Sequence, residues 1–111
     1  MKPISRLLSI MARLRDPTRG CPWDLEQTPE SLRPFLIEEA HEVAEAISGG
    51  DEKEICEELG DLLVQVAFHA DIAKEAGDFQ LEDVLRKINA KLVRRHPHVF
   101  ADGHAKDARE V

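Results

Sequence analysis

Two runs of carboxylates have a spacing that could do chemistry. Glu38-Glu39-Ala40-His41-Glu42-Val43-Ala44-Glu45 is echoed by Glu54-Ile55-Cys56-Glu57-Glu58-Leu59-Gly60-Asp61. Wound at about 100° per residue, each run sets acids beside an apolar stripe on a helix. With Glu38 at zero, Glu42 falls at about 40°, Glu45 at about −20° and Glu39 at about 100°, while Leu36, Ala40, Val43, Ala44 and Ile47 spread over roughly 140° to 240°. With Glu54 at zero, Glu58 falls at about 40° and Asp61 at about −20°, with Ile55, Leu59, Leu62, Leu63 and Val66 over roughly 80° to 180°. Glu39/Glu42 and Glu58/Asp61 therefore share an E-x-x-[ED] spacing, and side chains one turn apart can be directed at a single point.

An acidic helix face is ordinarily just solvated, and like charges one turn apart then cost only about 0.2–0.5 kcal/mol. Acidic edges brought together behave differently. Two carboxylates about 4 Å apart repel by about 4 kcal/mol at an effective dielectric of about 20, so four of them require protons or a cation. Hard oxygen ligands without thiolates favour Mg²⁺, with Mn²⁺ as a substitute, over zinc.

Two helices must meet for the acids to act together. One is entered at Thr28-Pro29 or Ser31, with Pro34 tolerable only in its opening turn, and runs through the first acidic run to Ser48, where Gly49-Gly50 supplies a left-handed stop. Asp51-Glu52-Lys53-Glu54 has the form of a capping box and opens the next helix, which continues to Ala76 and is ended by Gly77. So short a connection predicts antiparallel neighbours, with the two acidic pairs at comparable distances from the turn. Val64 and Phe68, at about 280° and 320°, fall off the main stripe and face either another subunit or solvent.

Upstream, Ile4, Leu7, Leu8, Met11 and Leu14 mark a packing helix that ends before Asp16-Pro17. Asp16 to Pro29 reads as a long loop carrying the sole tryptophan, Trp23, which is either a cap over the core or a stacking platform. Downstream, Leu81, Val84, Leu85, Ile88 and Leu92 mark a helix closed by His96-Pro97. Lys87, Lys91 and Arg95 recur along it, with Arg94 pointing elsewhere. Cations at a helix carboxyl end are favourable in themselves, by about 0.3–1 kcal/mol; beside an acidic metal cluster the same residues become a grip on polyphosphate. His41 reads as a helix-surface residue, and His96 and His98 as parts of a turn. Ala101 to Val111 reads as a loop entering a further helix.

At 111 residues, 42% of them hydrophobic, the chain is expected to form a single domain, residues 1–111, with an all-α, four-helix bundle-like architecture. Its net charge of −7 argues against a nucleic acid polymer as partner. The amino terminus opens directly into an amphipathic pattern, which predicts no signal peptide, no membrane partner and a soluble cytoplasmic protein. Cys21 and Cys56 form no C-x-x-C pair and read as reduced thiols.

Four motifs in order carry a resemblance: Gly20-Cys21-Pro22-Trp23-Asp24 with Gln27-Thr28, Glu38-Glu39-Ala40-His41-Glu42, Glu57-Glu58-Leu59-Gly60-Asp61-Leu62-Leu63, and Lys91-Leu92-Val93-Arg94-Arg95-His96-Pro97-His98-Val99-Phe100. Together they resemble the MazG family of nucleoside triphosphate pyrophosphohydrolases. The resemblance implies Mg²⁺-dependent cleavage between the α and β phosphates of a nucleoside triphosphate, by a homodimer or higher homo-oligomer. It implies metal ligands at Glu39, Glu42, Glu58 and Asp61. Glu38 and Glu45 would be outer ligands or water-orienting bases, Lys91, Arg95 and Arg94 would bind phosphate, and the Trp23 loop would lie over the nucleotide. Tandem members of the family carry two such domains, whereas one acidic pair occurs here, so the chain is expected to be a truncated copy or a single-domain relative. The rival expectation is a catalytically silent helical interaction domain whose acidic groove binds a divalent ion.

Overall fold

Proline and glycine punctuate the chain where its helices begin and stop. In the computed structural model, which describes residues 2–102 and 106–110, α1 spans Pro3–Leu14, α2 Pro22–Glu26, α3 Pro29–Gly49, α4 Glu52–Glu75, α5 Leu81–Arg95 and α6 Pro97–Phe100, and a 3-10 turn covers Ala108–Glu110. The all-α expectation holds, with no strand among the described residues. The short helices α2 and α6 occupy stretches read from sequence as loop, because Pro22 and Pro97 each stand at a first helical position, where the missing N–H costs nothing. Of the expected loop and helix after Ala101, the 3-10 turn is what is observed; residues 103–105 and 111 lie outside the described residues.

Thr28 caps α3. Its hydroxyl accepts from the Ser31 N–H at 3.1 Å, while the Ser31 hydroxyl accepts from the Thr28 N–H at 2.8 Å, satisfying two donors that the helix cannot. Pro34 therefore lies in the second turn of α3 rather than the opening one, and the helix continues through it. Gly50, at φ 77°, takes the left-handed conformation that ends α3, and its N–H bonds back to Ala46 and Ile47. Asp51 caps α4 by accepting from the Lys53 N–H at 3.0 Å, a one-sided cap rather than the expected reciprocal box. Gly77, at φ 78°, follows the end of α4. In α5, the His96 ring nitrogen Nδ1 lies 2.6 Å from the Leu92 carbonyl, which ties that histidine to the helix end.

The described chain forms two compact units, Met1–Asp78 and Phe79–Val111. In the first, α3 and α4 form the antiparallel hairpin and α1 packs on α4. Met11, Leu32, Ala67 and Phe68 are the buried cluster, with Leu7, Leu14, Val64 and Ile72 against it. Each large side chain so buried contributes about 1.5–3 kcal/mol.

This core corrects the sequence reading in two places. Phe68 is buried in the core rather than on the surface, and Val64, half-buried, packs against the same cluster as Leu7 and Leu14 of α1. On α3 the buried residues Leu32, Val43 and Ala46 lie at about 120°, 140° and 80°, which turns the covered face toward the acids and puts Glu39, at about 100°, in its middle. The far side of the expected stripes, Ala40, Ala44 and Ile47 on α3 and Leu59, Leu63 and Val66 on α4, is exposed. No described helix is long and apolar enough to cross a membrane.

Candidate metal centre

Counting along the hairpin explains why its acids converge. Leu32 and Phe68 belong to one buried cluster, and Glu39 and Asp61 each lie seven residues nearer the turn, two turns or about 10 Å along either axis. Equal offsets in antiparallel helices bring the two residues to the same level. Glu58 lies one turn closer to the loop on α4 and faces the seam with α3.

One carboxylate oxygen each from Glu39, Glu58 and Asp61 lie within 4.8 Å of one another, Glu39 and Glu58 half-buried and Asp61 exposed. Glu39 Oε1 and Glu58 Oε2 are shielded from solvent without a hydrogen-bond partner. Such atoms are costly unless something satisfies them. The strain registers on Glu39: the adjoining Glu58 carboxyl, then burial, then the nearby Glu42 carboxyl push its pKa from the ordinary 4.5 to about 8. This carboxyl therefore keeps its proton to higher pH than an ordinary glutamate. A donor set of three hard oxygens with two unsatisfied atoms fits a divalent ion of the Mg²⁺ or Mn²⁺ kind.

The other sequence candidates are placed differently. Glu42 is half-buried and close enough to raise the pKa of Glu39, but stands outside the three-oxygen group. Glu38 and Glu45 are exposed on α3 and also outside it. Lys91, Arg94 and Arg95 are exposed on the last turns of α5, in the second compact unit. His41 is exposed, as read.

Trp23, on α2, meets the hairpin at Phe35 of α3 and Phe68 of α4. Its ring makes edge contacts with Phe35, centroids 5.8 Å apart, and with Phe68 at 6.4 Å, while half of its surface stays exposed. Phe35 lies one turn before Glu39 on α3, about 6 Å along the axis, and Phe68 about 10 Å beyond Asp61 on α4. Trp23 thus covers the core with one edge and leaves the rest of its ring open. The turn that delivers it depends on Gly20, where a Cβ would run into the carbonyl oxygens of Leu14 and Asp16. Asp16 holds the same turn, accepting from the Thr18 N–H, the Thr18 hydroxyl and the Arg19 N–H, all at 2.9 Å. Those bonds, led by the one from Thr18, lower its pKa to about 2.

Sequence reasoning did not single out Phe35, Gln65, His69 or Arg15. Phe35 could have been found from its i,i+4 relation to Glu39. Gln65 Oε1 and His69 Nε2 are buried atoms without a partner on the Glu58 side of α4. Arg15, whose partners lie on α2 and α4, has no local signal.

Residues 27–100 match the family model described as the MazG nucleotide pyrophosphohydrolase domain. The chain is 52% identical, over all 111 of its residues, to a nucleoside triphosphate pyrophosphohydrolase of Escherichia coli K12, covering 42% of that protein. It is 58% identical over 96 residues to the nucleoside triphosphate pyrophosphohydrolase/pyrophosphatase MazG of Thermotoga maritima, covering 86% of this chain and 37% of the relative. The chain thus spans about two fifths of the length of these curated relatives. The crystal structure of a mazG-related protein from Thermotoga maritima superposes with a TM-score of 0.78 at 32% identity, over 96% of this chain and 90% of that one.

Proposed function

The chain belongs to the MazG nucleotide pyrophosphohydrolase family, and we propose that it hydrolyses nucleoside triphosphates to nucleoside monophosphate and pyrophosphate with Mg²⁺ as cofactor, Mn²⁺ substituting. The observation that carries this reading is the convergence of Glu39, Glu58 and Asp61 from both arms of the hairpin, with two of their oxygens buried and unsatisfied.

In this proposal Glu39, Glu58 and Asp61 hold the divalent ion and Glu42 completes the ligand set from the same turn of α3. When bound, such an ion supplies charge neutralisation for the phosphate oxygens and acidifies water. Glu38, exposed one residue before Glu39, accepts the proton of the attacking water. Lys91, Arg94 and Arg95, exposed on α5, are candidate phosphate-binding residues by the family resemblance. Trp23 lies against the base. No covalent nucleophile is needed, because phosphoryl chemistry depends on positioning and charge neutralisation. A cytoplasmic location goes with a nucleotide substrate.

The deciding experiment screens ordinary and modified nucleoside triphosphates with Mg²⁺ or Mn²⁺ and resolves the products. Monophosphate plus pyrophosphate is expected. Diphosphate plus phosphate, or no hydrolysis across the screen, would contradict the proposal.

We also propose a homodimer or higher homo-oligomer. Leu59 and Leu63 on α4 are nearly half exposed, Ile47 on α3 is 59% exposed, and α5 buries none of its residues. Apolar stripes of this length left open on a monomer mark an interaction surface. Leu63→Asp is expected to reduce the mass measured by light scattering to that of one chain. A wild type that is already monomeric at micromolar concentration would sink this part of the proposal.

A further inference from the structure

Arg15 ends α1 and reaches across to the α2 segment and to α4. Its side chain is only 9% exposed. Nε donates to Glu75 Oε2 at 2.8 Å and Nη2 to Glu75 Oε1, a two-pronged pair with the end of α4. Nη1 donates to the carbonyl oxygens of Asp24, at 2.5 Å, and Gln27, at 3.3 Å, two of the last carbonyls around α2. The guanidinium carbon lies 5.7 Å from the centre of the Phe68 ring, the same ring that Trp23 touches. Gln27 extends the connection: its amide donates to the Trp23 carbonyl at 2.9 Å, and its side-chain oxygen accepts from Ser31 at the cap of α3 at 2.7 Å.

One planar fork therefore grips the segment bearing Trp23 from its carboxyl end, where a helix presents unsatisfied carbonyls and favours a cation. The grip needs several donors in one plane, which arginine has and lysine lacks. Glu75, held below the usual carboxylate range by the hydrogen bonds from Arg15, keeps the fork oriented.

We propose that Arg15 is a positioning residue: through Asp24 and Gln27 it fixes the Trp23 ring against Phe35 and Phe68, so that nucleotide affinity depends on the Arg15–Glu75 pair although neither residue touches substrate. The clause about nucleotide rests on the function proposed above; the placement of Trp23 does not.

The test uses the full chain with Arg15→Lys, Arg15→Ala and Glu75→Gln, the last a milder change at an exposed partner. Trp23 is the sole tryptophan, so its emission reports on this segment alone. All three variants are expected to increase acrylamide quenching of Trp23 while Mn²⁺ affinity stays at the wild-type value, with Arg15→Lys no better than Arg15→Ala. Binding of a nucleoside triphosphate with a non-hydrolysable α,β bridge is expected to weaken about tenfold in the arginine variants, the scale of losing one stacked base. Unchanged quenching in Arg15→Ala and Glu75→Gln would overturn the positioning role, and so would rescue by lysine. If the wild type fails to bind the analogue, the pyrophosphohydrolase reading fails, while the quenching comparison still decides the role of Arg15.

Discussion

Glu58→Gln is expected to lower the rate of nucleoside triphosphate hydrolysis at saturating Mg²⁺ by at least about 100-fold, since even groups that only orient metal ligands are worth about 10–100-fold. Glu58 belongs to the three-oxygen group and one of its oxygens is buried without a partner. The amide keeps the shape of the side chain and removes the charge, so the helical circular dichroism should not change. The loss should persist when Mg²⁺ is raised tenfold, because a missing ligand changes the geometry of the site as well as its occupancy. Steady-state kinetics with product analysis reads the effect. A Glu58→Gln enzyme within threefold of wild type would remove Glu58 from the chemistry.

The metal-free protein is expected to lose stability as pH rises, and Glu39 is the reason. Its folded pKa is raised from 4.5 to about 8, chiefly by the adjoining Glu58 carboxyl, so the folded chain holds this proton more tightly than the unfolded one. Below about pH 4.5 the resulting stabilisation is fully present; it declines through the window up to about pH 8 as the proton is lost into a cluster of like charges. Thermal melts with a chelator should therefore fall in midpoint from pH 5 to pH 8. Divalent ions compete with the same proton, so added Mn²⁺ should raise the midpoint more at pH 8 than at pH 5. Glu39→Gln should flatten the chelated profile, melt higher than wild type at pH 8, and lose the response to Mn²⁺. A chelated wild type whose midpoint is flat or rising between pH 5 and pH 8 would contradict this account of Glu39.

These effects trace back to features whose visibility in the sequence differed. The hairpin was legible because its ends carry local chemistry: Thr28 and Ser31 at one cap, Gly50 at the stop, Asp51 at the next cap. That the acids of both arms share a level followed from counting residues on either side of that turn. Which face of α3 would be covered did not follow. Periodicity groups Val43 with Ile47 on one stripe, but Val43 is buried and Ile47 is open, because α4 covers a face centred on Glu39. Likewise Phe68 falls off the main stripe of α4 by helical arithmetic and is buried because α1 arrives from that side. A helix flanked by two partners has two buried faces, and a single apolar stripe cannot represent both. The pair between Arg15 and Glu75 spans 60 residues and joins two helix ends, a relation set entirely by tertiary packing.

The account rests on one divalent ion shared between the two arms of the hairpin. A crystal soaked in Mn²⁺ and measured for anomalous scattering tests it directly. A single strong peak bounded by Glu39, Glu58 and Asp61 is the predicted result; no peak there, with the three carboxylates turned into separate regions of solvent, would contradict it.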